Sequence, residues 1–181
     1  MPRPPLARER VLDAFEELVL TEGERAATLD ATAKAAGVSK GGLLYHFSSK
    51  EELVAGALER LHALTIADLE RMTAAEEGPV AYYIRTSVME DDALDRALVV
   101  ASRLAQGGSV PASEALRDSR RRWEDAIRPQ VRDQAALDLV MLLSDGLYFN
   151  NSLDVNGKEH LVPQREALTA LIALVLRTTA P

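Results

Sequence analysis

Cysteine is absent from the 181-residue chain, which removes disulfides, thiolate metal sites and thiol nucleophiles together. Aromatic residues are scarce at 4%, and nowhere do β-branched residues alternate with polar ones over a useful length. Sheet architectures therefore lack their usual material. No run approaches the roughly 20 consecutive apolar residues that a bilayer-spanning helix needs. The opening stretch MPRPPLARERV has no apolar core of the secretory kind. The three histidines, His46, His62 and His160, share no metal-ligand spacing, and no nucleophile, metal set or phosphate loop is present. These absences predict a soluble, cytoplasmic protein that is not an enzyme, needs no cofactor or metal and stays out of membranes.

What remains favours helix. Hydrophobic residues make up 47% and charged residues 27%, with alanine and leucine abundant, so the chain is globular and all-α. Periodicity and breaks predict about nine helices. The first covers about residues 6–22 on a stripe of Val11, Ala14, Phe15, Leu18 and Val19. A long fourth helix spans about 50–73, with Leu53, Ala57, Leu61, Leu64, Asp68 and Leu69 marking its inner side. At 1.5 Å per residue it is roughly 35 Å long and works as a rigid lever. The later helices are expected near 80–87, 91–105, 112–128, 132–152 and 164–177.

The stretch 28–53, TLDATAKAAGVSKGGLLYHFSSKEEL, carries the most information. Leu29, Ala33 and Ala36 fall at i, i+4 and i+7, giving a short helix with one narrow apolar face and Thr28 as its cap. Gly37 supplies positive φ at the turn, Val38 seals the elbow, and Ser39 caps a second short helix. Leu43 and Phe47 point inward, leaving Lys40, Gly41, Gly42, Leu44, Tyr45 and His46 outward. Ser48 with Glu51, and Ser49 with Glu52, have capping-box spacing that opens the long helix. This is a helix-turn-helix built to enter the major groove. Lys40 can donate to a guanine edge, while Tyr45 and His46 can reach phosphates or a base. Lys50, at the next helix N-terminus, is a natural phosphate contact.

The formal charge of −7 argues on its face against nucleic acid. Its distribution softens that objection, because Arg3, Arg8 and Arg10 precede the motif and Lys40, His46 and Lys50 lie in or beside it. A local basic face suffices for phosphates, and an acidic remainder limits non-specific adhesion.

Residues 5–60 resemble the N-terminal region of TetR-type transcriptional regulators. Thr28, the Gly37-Val38-Ser39 turn, Leu43, Tyr45-His46-Phe47 and Ser49-Lys50-Glu51 carry the resemblance, in that order. It implies a homodimer, a double-stranded operator and a small apolar or aromatic effector. By that likeness Thr28, Ser39, Lys40, Gly41, Gly42, Leu44, Tyr45, His46 and Lys50 form the DNA-binding set. Gly42 stands where the family often has threonine, and Leu44 where it often has tyrosine, which leaves the operator sequence open.

A DNA-binding domain is thus expected over 1–50, with the motif at about 28–47, and a helical regulatory and dimerisation domain over 51–181. In the latter, LDLVMLLSDGLYFNN at 137–151 is apolar nearly all round and needs cover on both sides. Leu139, Val140, Leu143, Gly146 and Leu147, with Leu168, Leu171, Ile172 and Val175 of the last helix, are expected to pair with a second copy. His62, Met72, Tyr82, Tyr83, Met89, Trp123, Met141, Asp145 and Tyr148 are candidate ligand contacts, although each taken singly reads as core packing. The resulting expectation is a repressor released from a palindromic operator by a small ligand. The alternative is a small-molecule sequestering protein whose head no longer reads DNA.

Overall fold

The computed structural model describes residues 4–88, 92–153 and 161–181. Among these, nine α-helices and one short 3-10 turn account for all regular structure. They are α1 (Pro4–Thr21), α2 (Leu29–Ala36), α3 (Lys40–His46), α4 (Lys50–Ala74), α5 (Pro79–Thr86), α6 (Ala93–Gln106), α7 (Val110–Ile127), α8 (Gln134–Leu153) and α9 (Glu166–Thr179). The all-α reading holds. No helix among the described residues is long and apolar enough to cross a membrane.

The boundaries follow local chemistry. Thr28 Oγ1 accepts from Ala31 N–H at 3.2 Å and starts α2. Gly37, at φ 66°, ends α2 by donating its N–H to the last-turn carbonyls of Ala33 and Lys34. Ser39 Oγ accepts from Gly42 N–H at 3.0 Å and starts α3. Ser49 Oγ accepts from Glu52 N–H, while Glu52 Oε2 accepts from Ser48 N–H at 2.6 Å. Of the two capping boxes expected for α4, the Ser49–Glu52 one forms by half, with the Glu52 carboxylate taking the N–H of Ser48 in place of that of Ser49. The backbone at the helix start and the Ser49 hydroxyl hold the Glu51 carboxyl below its ordinary pKa. α8 begins at Gln134 because Asp133 Oδ1 accepts from Ala136 N–H at 2.8 Å.

The chain forms two compact units. The first contains residues 1–65 and 93–119, so α6 and the start of α7 group with α1–α3. A functional division at residue 50 is a different cut from this one, which follows packing. The core of the first unit is Val11, Leu12, Phe15 and Val19 from α1, Leu43 from α3, Phe47, Leu53 and Ala57, closed by Val100 and Leu104 of α6. Full burial of a side chain such as Phe15 stabilises by roughly 1.5–3 kcal/mol. Leu12 is buried and Ala14 only half-buried, which turns the stripe of α1 slightly from its expected position. Arg103 reaches from α6 to the Val19 carbonyl at 3.2 Å and also donates to the Leu20 carbonyl, satisfying acceptors that the end of α1 leaves open. Gly56 permits a close crossing, since a Cβ there stands 3.0 Å from both Leu12 and Phe47.

The second unit contains residues 66–92 and 120–181, and α5 packs against both α8 and α9. Its interior holds Met72, Val80, Ile84, Ile127, Leu137, Val140 and Met141, all nearly inaccessible. Arg132 N–H donates to the Thr179 carbonyl at 3.0 Å, tying the approach to α8 to the end of α9.

Candidate nucleic-acid interface

α3 presents one face inward and the opposite face to solvent. Leu43 and Phe47 are buried, whereas Leu44 is 38% and Tyr45 82% exposed. At that exposure Tyr45 adds almost nothing to this unit's core. Tyr45 and His46 pack edge-on with centroids 5.1 Å apart, and His46 is half-buried. Gly41 is open, since nothing lies within 4 Å of a Cβ built there. At Gly42 a Cβ stands 3.2 Å from Ser39 Oγ, the atom that caps the helix. A side chain at this position requires that hydroxyl to give by a few tenths of an ångström.

Lys40, Lys50, Arg8 and Arg60 are each tied to acids. Lys40 Nζ lies 2.9 Å from Asp30 Oδ1, with both side chains exposed. Lys50 Nζ is 2.5 Å from Glu24 Oε1 and donates to the Glu24 backbone carbonyl at 2.7 Å, so it staples the α1–α2 connection to the start of α4. Arg8 lies 5.1 Å over the Phe47 ring and bonds Glu59 at 3.2 Å. Arg8 therefore belongs to the α1–α4 junction; Arg3 lies outside the described residues. Arg60 gathers Glu9, Asp13 and Glu16 at 2.5, 2.8 and 2.8 Å, and their negative charge holds its guanidinium more firmly protonated. The carboxyl of Glu16 is raised above its ordinary pKa, mainly by burial and against the pull of Arg60.

In the second unit a buried acid, Asp68, collects three donors. Tyr82 O–H donates to Oδ1 at 2.8 Å, Trp123 Nε1–H to Oδ2 at 2.9 Å, and Arg71 approaches Oδ1 at 3.4 Å. Arg71 Nε also donates to the Tyr82 oxygen at 3.2 Å. Burial, set against the Arg71 bond, raises the Tyr82 hydroxyl; burial and the Asp145 charge raise that of Tyr83. The Tyr83 and Trp123 rings are tilted together at 5.8 Å. Asp145 is half-exposed and pairs with Arg120 at 3.2 Å, and partial burial still lifts its pKa.

Residues 11–57 match the family model described as "Bacterial regulatory proteins, tetR family". This is a TetR-family head. Over 60 residues the chain is 38% identical to the HTH-type transcriptional regulator SrpR of Pseudomonas putida, covering 33% of this chain and 28% of that one. It is equally 38% identical over 60 residues to the uncharacterized HTH-type transcriptional regulator TtgW, also of Pseudomonas putida, covering 33% of this chain and 45% of that protein. The match thus spans less than half the length of either curated relative. Solved structures share the fold across nearly the whole chain. Salmonella enterica GusR aligns with TM-score 0.69 at 19% identity over 97% of this chain and 96% of its own. A complex of SmeT with triclosan aligns with TM-score 0.71 at 20% identity, covering 97% and 92%.

Beyond the TetR-type head, the expected ligand contacts divide. Tyr82, Tyr83 and Trp123 are brought together around Asp68, a residue that periodicity marked only as the inner side of α4. Met72 and Met141 are interior, and Tyr148 is half-buried. His62 is exposed and belongs to the first unit, while Met89 lies outside the described residues. The residues of the expected seam divide as well. Val140, Leu147 and Val175 are at most 5% exposed within their own protomer, because the α5–α8–α9 packing consumes them. Leu143, Gly146, Leu168, Leu171 and Ile172 are half-buried and Leu139 is exposed. The apolar surface that these helices leave open is Leu139, Leu142 and Phe149 on α8, and Leu174 and Leu176 on α9.

Proposed function

We propose that the protein is a cytoplasmic, homodimeric transcriptional regulator of the TetR type, a repressor that leaves a palindromic operator when a small apolar or aromatic ligand binds. The observation that carries the reading is α3, with Leu44 and Tyr45 held outward by a buried Leu43–Phe47 anchor. Lys40 opens the same helix, and Thr28 and Ser39 sit exposed at the two caps where backbone phosphates pass. Leu142 at 64% and Phe149 at 61% exposure support pairing of α8 and α9 with a second copy, since large side chains so displayed are otherwise a liability. A twofold dimer places two α3 helices on successive major grooves, about 34 Å apart.

The ligand side of the reading rests on the aromatic group around Asp68 and on the SmeT neighbour, which holds triclosan. A ligand that prefers one head arrangement shifts the population toward it, and α4, continuous from Lys50 to Ala74, is the element that carries the change.

Selection of bound duplexes from a random pool tests the function directly. The expected product is a palindrome whose half-sites lie one helical turn apart, with binding lost in Tyr45→Ala by about tenfold or more. Trp123 is the sole tryptophan, so its fluorescence reports aromatic ligands added to the full chain. A ligand that shifts this emission and leaves the operator complex intact overturns the coupling. A pool that yields no enriched duplex favours the sequestering alternative.

A further inference from the structure

We infer that Asp30 is a specificity-determining residue of the head, a latch on Lys40 that weakens attachment to DNA of arbitrary sequence more than attachment to the operator. This role rests on the DNA-reading function proposed above. Asp30 lies in the first turn of α2 and Lys40 is the first residue of α3, so the Gly37 turn brings them together across ten residues. Both carboxylate oxygens face one ammonium, Oδ1 at 2.9 Å and Oδ2 at 3.2 Å. The pair is open to solvent on both sides, with 59% of the lysine and 72% of the aspartate side chain exposed.

The chemistry of the ammonium decides what the latch does. Lysine offers three donors and a compact charge. On a duplex of arbitrary sequence attachment is through the backbone, and the new partner is a phosphate. Lys40 then exchanges one anion for another, and Asp30 is left facing the DNA backbone with its charge uncompensated. On the operator a guanine O6 or N7 edge takes one donor while Asp30 keeps the others, so the specific complex does not break the pair. The other lysine beside the groove, Lys50, is already bound by the carboxylate and carbonyl of Glu24. Asp30 thus controls the cation at the start of the reading helix. Because the pair is exposed, its effect is a several-fold discrimination and not a thousand-fold one.

The test compares the full-length chain with Asp30→Asn, Asp30→Ser and Asp30→Glu on the selected operator and on a scrambled duplex of equal length, across a salt series. Asp30→Asn and Asp30→Ser are expected to tighten binding to scrambled DNA by about fivefold and to the operator by about twofold or less, with the scrambled-DNA salt slope steeper by about one. Asp30→Glu should track the wild type. In a Lys40→Ala background the change in ratio should vanish, which a merely structural role for Asp30 in α2 would not produce. Equal tightening on both duplexes overturns the latch, as does an unchanged scrambled affinity or a ratio change that survives Lys40→Ala. If the wild type selects no duplex, the DNA-reading function itself fails. If it selects one and the ratio stays fixed in both neutral variants, only the latch fails.

Discussion

Two of the buried acids, Asp68 in the second unit and Glu16 in the first, are treated in opposite ways. Asp68 has both oxygens served by neutral or cationic donors from α4, α5 and α7. Glu16 has Oε2 bonded to Arg60, while its Oε1 is buried with no hydrogen-bond partner among the described residues. A fully satisfied buried carboxylate organises its surroundings, and a half-satisfied one is a standing cost. The comparison shows where each unit keeps its order. The second unit is arranged round a satisfied polar centre, whereas the first is held mainly by apolar fit.

The largest effect should come from breaking the polar centre. Asp68→Ala leaves the Trp123 N–H and Tyr82 O–H buried without their acceptor, a loss of about 3 kcal/mol in denaturant unfolding. Asp68→Asn keeps one acceptor oxygen and should cost roughly half as much. A variant as stable as the wild type would show that the hub is incidental. Next comes the apolar fit of the first unit. Gly56→Ala forces a methyl against Leu12 and Phe47, both 3.0 Å away, and overpacking of this kind costs about 1–3 kcal/mol. Thermal unfolding measures it, and a neutral result would mean that the α1–α4 crossing yields easily.

The smallest effect sharpens the contrast between the two acids. The Glu16 carboxyl titrates above its ordinary value in the folded chain because burial disfavours its charge. The folded state therefore binds the proton more tightly, and stability attributable to Glu16 falls as pH rises through the window from the ordinary value to the raised one. Relative to Glu16→Gln, the wild type should gain about 1 kcal/mol or less as pH is lowered from about 7 to about 5. Melting curves across that range would refute this if the two proteins moved in parallel.

What could be read along the chain was what the chain decides locally. Thr28, Gly37 and Ser39 announce their caps because each acts on backbone within about three residues. Leu43 and Phe47 were legible for the same reason, being four apart on one short helix. Partners brought together by tertiary structure were not. Lys50 meets Glu24 across 26 residues, and Asp68 meets Trp123 across 55. No periodicity encodes either. The apolar excess of α8 and α9 was visible, but which side of it stays open depends on where α5 lies, so the expected seam fell partly on residues that are interior. Asp68 left a faint trace as a lone acid on the inner line of α4, a sign worth weighing in other helical chains.

The placement of α6 has a practical consequence for anyone cutting or recombining this protein. Val100, Leu104 and Ala112 are cemented into the same interior as Phe15 and Leu43, though all of α4 and α5 intervene along the chain. A fragment ending at residue 65 would expose the surface they cover and lose the Arg103 bonds to the end of α1. Chimaeras that transplant a reading head between relatives must therefore bring residues 93–119 as well, or supply a graft that closes the same wound.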